Sequence, residues 1–522
     1  MTTQSAKKSE KHSRLASQAM TTLVLLAMLS SGCATRPKVK ISDAFDEQAI
    51  AAEITTSGPI AIDNENQAVG QTIIRKSALA AQAGVLFARS VHIDPINRPV
   101  SNFLSMTSIA LKSATGLFRR TALGAVQFPA LERQPIPEVA YADTMDLQQW
   151  EKDLDKISGR KQSKGTIDFL VDGEAYFERM LKVVGEAEES IDIRTYIFDN
   201  DDYAVKVADI LKQKSHEVDV RVLVDAFGTM VATQADPESL PQGYQGPLSM
   251  EQYMERGSRI KFRSRAIPWT AGDHTKTTII DQKVAFIGGM NIGREYRYDW
   301  HDLMMEVTGP VVDHLQYDTN KAWAKASVFG DLAGFFALLV GEKKQADDHG
   351  YPLRVLYTAT HDSQIYRSQL AAIRRSQSYI LIENAYFSDD VILYELAKAR
   401  RRGVEVRVIL PLAGNHGPHN ASNQVAINKM LRNGIRVYQY PGMTHVKAAI
   451  FDGWACVGSA NFDKLSFVVN REVNLATSHA PVVNQLLERL FIPDLARSIE
   501  ITEMLDVTVQ ARMLEMVVDE VM

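Results

Sequence analysis

One short pattern occurs twice in this chain, and a repeat of that kind dictates the fold around it. It reads first His274-Thr-Lys276-Thr-Thr-Ile-Ile-Asp281, followed by Gly288-Gly289-Met-Asn291. It returns as His445-Val-Lys447-Ala-Ala-Ile-Phe-Asp452, followed by Gly458-Ser459-Ala-Asn461. Each copy spells H-x-K-x4-D and then two small residues, one more residue and Asn. One such spacing arises by chance; two with matched trailing elements do not. A duplication of this size predicts two similar halves, packed so that both motifs meet at one interface.

The residue types fit chemistry on a phosphodiester. Residues two apart in a strand share a face, so His and Lys of each copy project together. The apolar run after each Lys reads as a buried strand leading to the Asp and a turn. A His serves as nucleophile or general acid near neutral pH, and a Lys offers fixed positive charge to phosphate oxygens. A double displacement on phosphorus needs both a nucleophile and a proton donor for the leaving group. One half-site holds a single His; two facing copies supply both.

These residues resemble the phospholipase D superfamily, whose signature is the duplicated H-x-K-x4-D. The chain is most similar to its bacterial cardiolipin synthase-like members, through Phe286-Ile-Gly-Gly-Met-Asn-Ile-Gly-Arg-Glu-Tyr296 and Val457-Gly-Ser-Ala-Asn-Phe-Asp463. The resemblance covers about residues 165 to 500. It implies that each His is oriented by an acidic residue further downstream. Asp302 and Glu472 stand 28 and 27 positions after His274 and His445 (274 to 302, 445 to 472) and take that role, each expected to serve its own half. By the same resemblance His274 is the nucleophile and His445 the general acid. Lys276 and Lys447, with Asn291, Ser459 and Asn461, are expected to stabilise phosphoryl oxygens. Asp281 and Asp452 are expected to support the site without carrying protons. Tyr196 and Tyr386 occupy matched places where the family lines its pocket, with Glu383 and Asn384 beside the second; packing is the simpler expectation for all four.

Composition narrows the partners. Lys plus Arg number 58 against 63 acidic residues, a net charge of −5, which argues against a nucleic-acid surface. A locally basic pocket for an anionic lipid remains compatible with it. The two cysteines form no metal-ligand spacing, and Cys456 reads as a small buried apolar residue. His416 and His419 are a lone loop pair. No metal or cofactor is expected.

Taken in order, residues 1–33 read as an export signal. Lys7, Lys8, Lys11 and Arg14 precede the short apolar run from Thr21 to Ser30, and Leu29-Ser-Ser-Gly-Cys33 resembles a lipoprotein signal cut before a lipidated Cys33. An ordinary signal peptide or an uncleaved anchor is the alternative. The expected location is the cell envelope, anchored to a membrane and facing the periplasm. Residues 34–150 form a helical N-terminal segment and linker. Its apolar stretch from Phe103 to Phe128 either lies on a membrane or packs on the catalytic body, and packing is the expectation. Residues 151–330 and 331–500 are the two halves, and 501–522 a C-terminal helix. The linker stretch from Gly330 to Gly341 is a further candidate for a lid or membrane-facing element.

Matched strands recur in the halves, each followed by a helical pattern: Ile167 to Val171 with Leu353 to Tyr357, then Ser190 to Asp199 with Ser378 to Ser388. Strands alternating with helices predict an α/β fold with largely parallel sheets. The expected activity is a two-step phosphatidyl transfer between phospholipids through a phosphohistidine. The rivals are a phospholipase D that uses water, a nuclease of the same superfamily, and a non-enzymatic lipid-binding scaffold, which two complete motifs make the weakest.

Overall fold

The computed structural model describes residues 94–140, 142–232, 236–265, 271–340, 349–415 and 417–508. Cys33, the helical pattern from Val69 to Ala88, His416 and the last fourteen residues lie outside them. The chain divides into Met1–Ala80 and Ala81–Met522, and everything below concerns the second unit.

Each half is a strand series with helices on its faces. The first half contributes β1 (Ser163–Val171), β2 (Ser190–Thr195), β3 (Asp219–Asp225), β4 (Lys261–Arg265), β5 (Thr277–Ile280), β6 (Val284–Gly288) and β7 (Leu303–Thr308). The second contributes β8 (Tyr351–Ala359), the short β9 (Asp362–Ser363), β10 (Tyr379–Asn384), β11 (Glu405–Pro411), β12 (Arg436–Tyr440), β13 (Lys447–Phe451), β14 (Trp454–Gly458), β15 (Glu472–Thr477) and β16 (Ile499–Ile501). They join in one 16-stranded sheet ordered β16-β12-β11-β10-β13-β14-β15-β8-β1-β7-β6-β5-β2-β3-β4, with β9 beside β8. The β1–β8 pairing, Ser163 opposite Leu353, carries the sheet from one half into the other. The mixed α/β class follows the sequence.

The expectation of largely parallel sheets does not hold. Only β2-β3-β4 and β10-β11-β12 run parallel; every other neighbouring pair among the described strands is antiparallel. The cause is local. Each motif strand folds straight back on itself as a hairpin, β5–β6 and β13–β14, and a hairpin is antiparallel by construction. The second hairpin closes through Asp452 and Gly453, both at positive φ, a two-residue loop of the kind Asp-Gly favours. The first closes through Asp281, Gln282 and Lys283, one residue longer. That single residue is why His to Asn spans 17 positions in one copy and 16 in the other (274 to 291, 445 to 461).

Helices cover the sheet where its apolar residues face outward, and the β2–β3–β4 layer buries Ile193, Val222 and Phe198 against Phe177, Met180 and Leu211. The segment expected to lead into the first half belongs physically to the second. Leu123, Phe128, Trp150 and Leu154 sit in the core of the second half, with Trp150 edge-on to Trp454 at 5.2 Å. Arg354 in β8 binds Glu151 and Asp155 of the helix Leu147–Ser158. Near the end of the chain Ile499–Ile501 is an edge strand on β12; residues 502–508 form no helix, and the rest of the C-terminal helix expected over 501–522 lies outside the described residues. Among the described residues no helix is long and apolar enough to cross a membrane.

The helix Pro99–Ala122 packs on the body, as expected, but by the wrong face. Apart from Ile109, the inward residues seen are polar: Arg98 just before it and Asn102 are buried, and Ser108 and Lys112 bond to the backbone of Thr360. Val100, Phe103, Leu104 and Leu111 point outward and are exposed. Helical periodicity reports that one stripe is apolar; it does not report which stripe the body takes.

Candidate active site

Each motif runs through the same local geometry. His274 and Lys276 lie in the extended segment entering β5, and His445 lies at the entry to β13, which begins at Lys447. Each Lys curls back to donate to the carbonyl of its own motif's His, Lys276 to His274 at 2.8 Å and Lys447 to His445. Both ammonium groups are buried. At the far end of each strand the motif Asp caps the hairpin. Asp281 accepts from the backbone N–H of Glu188, Glu189 and Ser190, and Asp452 from Met145, Gln377, Ser378 and Tyr379. Four residues of strand lie between each Asp and the Lys of its motif, five steps or about 16 Å. They are scaffold, as expected, and take no place beside the imidazoles.

The histidines are held, but not by the acids of their own halves. His274 Nδ1 meets Glu472 at 3.0 Å, and His445 Nδ1 meets Asp302 at 2.6 Å. The pairing expected within each half is therefore crossed. Two matched parallel bridges produce the crossing: Asp273 with Arg471, and His301 with Thr444. Each joins the residue before one His to the residue before the other half's acid. Arg471 N donates to Gly272 O, His301 N to Met443 O and His445 N to His301 O. Both halves thus complete the site for each other. In each pair the Nδ1–H faces a carboxylate, which leaves Nε2 for a substrate, the arrangement that orients an imidazole in a triad.

The remaining predicted residues divide. Asn291 is committed: its oxygen accepts from Ile197 N and Thr195, and its amide donates to Tyr296 Oη at 2.8 Å. Ser459 does not point at a phosphate position; its Oγ donates to Glu472 at 2.6 Å and so serves the acid that serves His274. These two are corrections, because each spends its hydrogen bonds on protein. Asn461 differs from its counterpart, with a buried side-chain oxygen that has no hydrogen-bond partner among the described residues. Tyr196 stands edge-on to His274 at 4.8 Å with Lys276 over its ring, and Tyr386 lies 6.3 Å from His445 and 4.2 Å from His419. Both tyrosines line the site. Glu383 accepts from Thr444 at 2.6 Å, and Asn384 braces the backbone of Tyr386 and Phe462.

Three residues went unread in the sequence. Tyr296 and Trp300 of the first half flank His445 of the second, at 5.8 and 5.2 Å. His301 donates from both ring nitrogens, to Asp172 at 2.6 Å and Asp494 at 3.0 Å. Burial alone would lower its pKa, but those carboxylates outweigh it and lift the imidazole to about 10. It is a buried cation, one residue from the acid that holds His445. The signal was the tripeptide Trp300-His301-Asp302, legible only once its neighbours in space were known.

Burial governs the charges. It drives His274 well below the usual imidazole range, with Lys276 and Lys447 pushing the same way. It lowers Lys276 strongly and brings Lys447 down to about 8. It lifts Asp302 to about 7 and Glu472 to about 8 against the pull of the two ammonium groups. In such a site a phosphodiester anion would meet two buried cations, and a neutral His274 offers a lone pair at Nε2.

Comparison with known proteins agrees with this geometry. A family model described as "Cardiolipin synthase, PLD-like domain" matches residues 180–323 and 370–492. The chain is 29% identical over 350 residues to cardiolipin synthase A of Pseudomonas aeruginosa, covering 64% of this chain and 68% of that protein. It is 28% identical over 353 residues to the cardiolipin synthase of Listeria monocytogenes, covering 64% and 70%. The crystal structure of phosphatidylserine synthase from Haemophilus influenzae shares the fold, with a TM-score of 0.55 at 11% identity over 71% of this chain and all of that one.

Proposed function

The chain belongs to the family of cardiolipin synthase, phospholipase D-like domains, and from that premise we propose that it transfers a phosphatidyl group between phospholipids through a phosphohistidine on His274. One observation carries the proposal: the two imidazoles are each held at Nδ1 by a carboxylate of the opposite half, with a buried lysine on the backbone carbonyl of each.

In the first step His274 Nε2 attacks phosphorus, and the bond from phosphorus to the head-group oxygen breaks. The departing alcohol takes a proton from Nε2–H of His445, which Asp302 steadies as an imidazolium. In the second step the now neutral His445 removes a proton from the acceptor hydroxyl. That oxygen attacks phosphorus, the phosphorus–nitrogen bond breaks, and His274 recovers its lone pair. Lys276 and Lys447 offset the charge that gathers on the phosphoryl oxygens in both steps. The burial that pushes His274 towards its neutral form supports its assignment as nucleophile.

The acceptor separates a synthase from a hydrolase. Purified protein with phosphatidylglycerol vesicles, products resolved by mass spectrometry, gives cardiolipin plus glycerol if a lipid hydroxyl is the acceptor. Phosphatidic acid alone means that water is, and the transfer reading fails. The segment ending at Cys33 supports an exported, acylated protein held at the membrane where its substrate lies. Radiolabelled palmitate that enters the wild type and not Cys33→Ser is the result expected for it.

A further inference from the structure

Two helices of the described chain are built inside out. The helix Pro99–Ala122 turns its polar residues to the body and its apolar stripe outward. The helix Gly330–Val340 repeats the arrangement: Gly334 is buried against the Lys325 side chain, while the large side chains face solvent. Phe103 is 69% exposed, Phe329 71% and Phe335 56%. An apolar surface of this extent on a protein in water marks a binding face.

The two helices are locked together as one platform. Asp331 accepts from the backbone N–H of Val100 and Ser101 at 3.0 and 2.9 Å, capping the first helix with a residue of the second. Arg98 Nε donates to Lys325 O at 2.7 Å. Gly330 sits so close to Asn97 that a Cβ there would lie 2.2 Å from its carbonyl oxygen. The outward side chains are therefore displayed by a fixed scaffold.

That platform is bolted to the site. Ile109 packs on Ala271 and Val469, three residues before His274 and three before Glu472. Lys112 Nζ donates to Val468 O at 2.8 Å. Both helices also fall outside the segments that match the family, 180–323 and 370–492.

We propose that the helices 99–122 and 330–340 form a bilayer-docking surface that seats Phe103, Leu104, Phe329, Leu332, Phe335 and Phe336 in the acyl region of a phospholipid leaflet. The occupant is argued from chemistry and position. The surface carries large exposed apolar side chains, its first helix packs on the segments entering the site, and the site's substrate under the reading above is itself a bilayer component. Eleven residues of helix span about 16 Å, roughly half of a bilayer's hydrocarbon core, so the element lies in the leaflet and does not cross it. The proposal rests on the phospholipid reading for its choice of occupant.

The test uses the full chain carrying Cys33→Ser, to remove any acyl anchor, and Phe336→Cys labelled with an environment-sensitive nitrobenzoxadiazole. Cys456 is buried, with its thiol pushed up to about 11, and escapes the label. Phosphatidylglycerol vesicles should shift the emission to the blue and let spin labels on the acyl chains quench it. Unchanged emission overturns the proposal. So does a blue shift that appears without vesicles and grows with protein concentration, which would mean that a second copy covers the face. In parallel, Phe335→Ser/Phe336→Ser should lose at least ~tenfold in turnover of vesicle phosphatidylglycerol and keep turnover of a short-chain, monomeric form. Equal turnover of vesicles by variant and wild type also overturns it. If the wild type turns over neither substrate, the functional reading fails, while the label still reports docking.

Discussion

His274 and His445 occupy matched places, yet the buttresses behind them are charged differently. Behind His274, Arg194 of β2 binds Asp273 at 2.8 Å and Asp318 at 2.7 Å, and Arg471 bridges in from the other half. At the position matching Arg194, β10 places Glu383, which accepts from Thr444; the residue bridging in is the protonated His301, with Asp494 beyond it. Cation, anion, cation on one side answer anion, hydroxyl, cation on the other. The flanks differ as well: His274 has the edge of Tyr196, and His445 is ringed by Tyr296, Trp300 and Tyr386. What both copies retain is the set that touches chemistry, an Nδ1 carboxylate and a buried Lys. The two copies thus share an imidazole, a carboxylate and a Lys while their supports differ, and unequal supports are consistent with the unlike roles proposed for the two histidines.

The largest effect expected is the loss of either imidazole. His274→Ala and His445→Ala should each cost at least ~10³-fold in kcat, since nucleophile and proton donor act as a unit. The comparison is sharpened by trapping: phospholipid labelled in the phosphate should leave its label on His274 in the His445→Ala protein. Label on His445 in the His274→Ala protein instead would reverse the roles.

Next come the crossed acids. Glu472→Gln and Asp302→Asn should each lower kcat by ~10²-fold or more, because each leaves an imidazole without its orienting carboxylate. Double-mutant cycles read by unfolding should find coupling of ~0.5–3 kcal/mol for 274 with 472 and for 445 with 302, and next to none for 274 with 302. The reverse pattern would break the crossing.

The small residues should respond unequally. A Cβ at Gly289 would stand 2.2 Å from Asp302 Oδ1, so Gly289→Ala displaces the acid and should cost ~tenfold or more in kcat. Ser459→Ala, at the matching position, removes one donor to Glu472 and should cost a few-fold, about the worth of one ordinary hydrogen bond. Steady-state kinetics of the two variants give the ranking directly.

The smallest effect concerns pH. His301 is raised in the folded protein to about 10, above its ordinary 6.5 when unfolded, so the fold binds its proton more tightly. The stability it contributes is complete below 6.5 and is lost as pH rises towards 10. Thermal unfolding from pH 6 to 10 should show a steeper decline for the wild type than for His301→Gln.

Much of this site was legible in the sequence, because a duplicated motif announces its own residues. His274, Lys276, His445 and Lys447 fall together at the joint of the halves, and Asp281 and Asp452 close their hairpins. What could not be read was pairing in space. Separations of 28 and 27 positions name Asp302 and Glu472 as candidates for orienting, but no spacing along a chain says which half an acid turns towards. Ser459 and Asn291 had the right chemistry for phosphate and found protein partners instead. The antiparallel course of the motif strands follows from turns two and three residues long, which the apolar runs did not disclose. The inverted helix has the same amphipathic pattern as a packed one; only the polar partners waiting at Thr360 and Val468 select the face.

The crossed acids also set an order in time. A ribosome makes His274 long before it makes Glu472, so the nascent first half carries a nucleophile that nothing yet aims. Only when β15 is made and docked does that imidazole acquire its partner. A polypeptide interrupted anywhere before residue 472 therefore lacks the carboxylate that holds His274, and half-built copies carry no complete site.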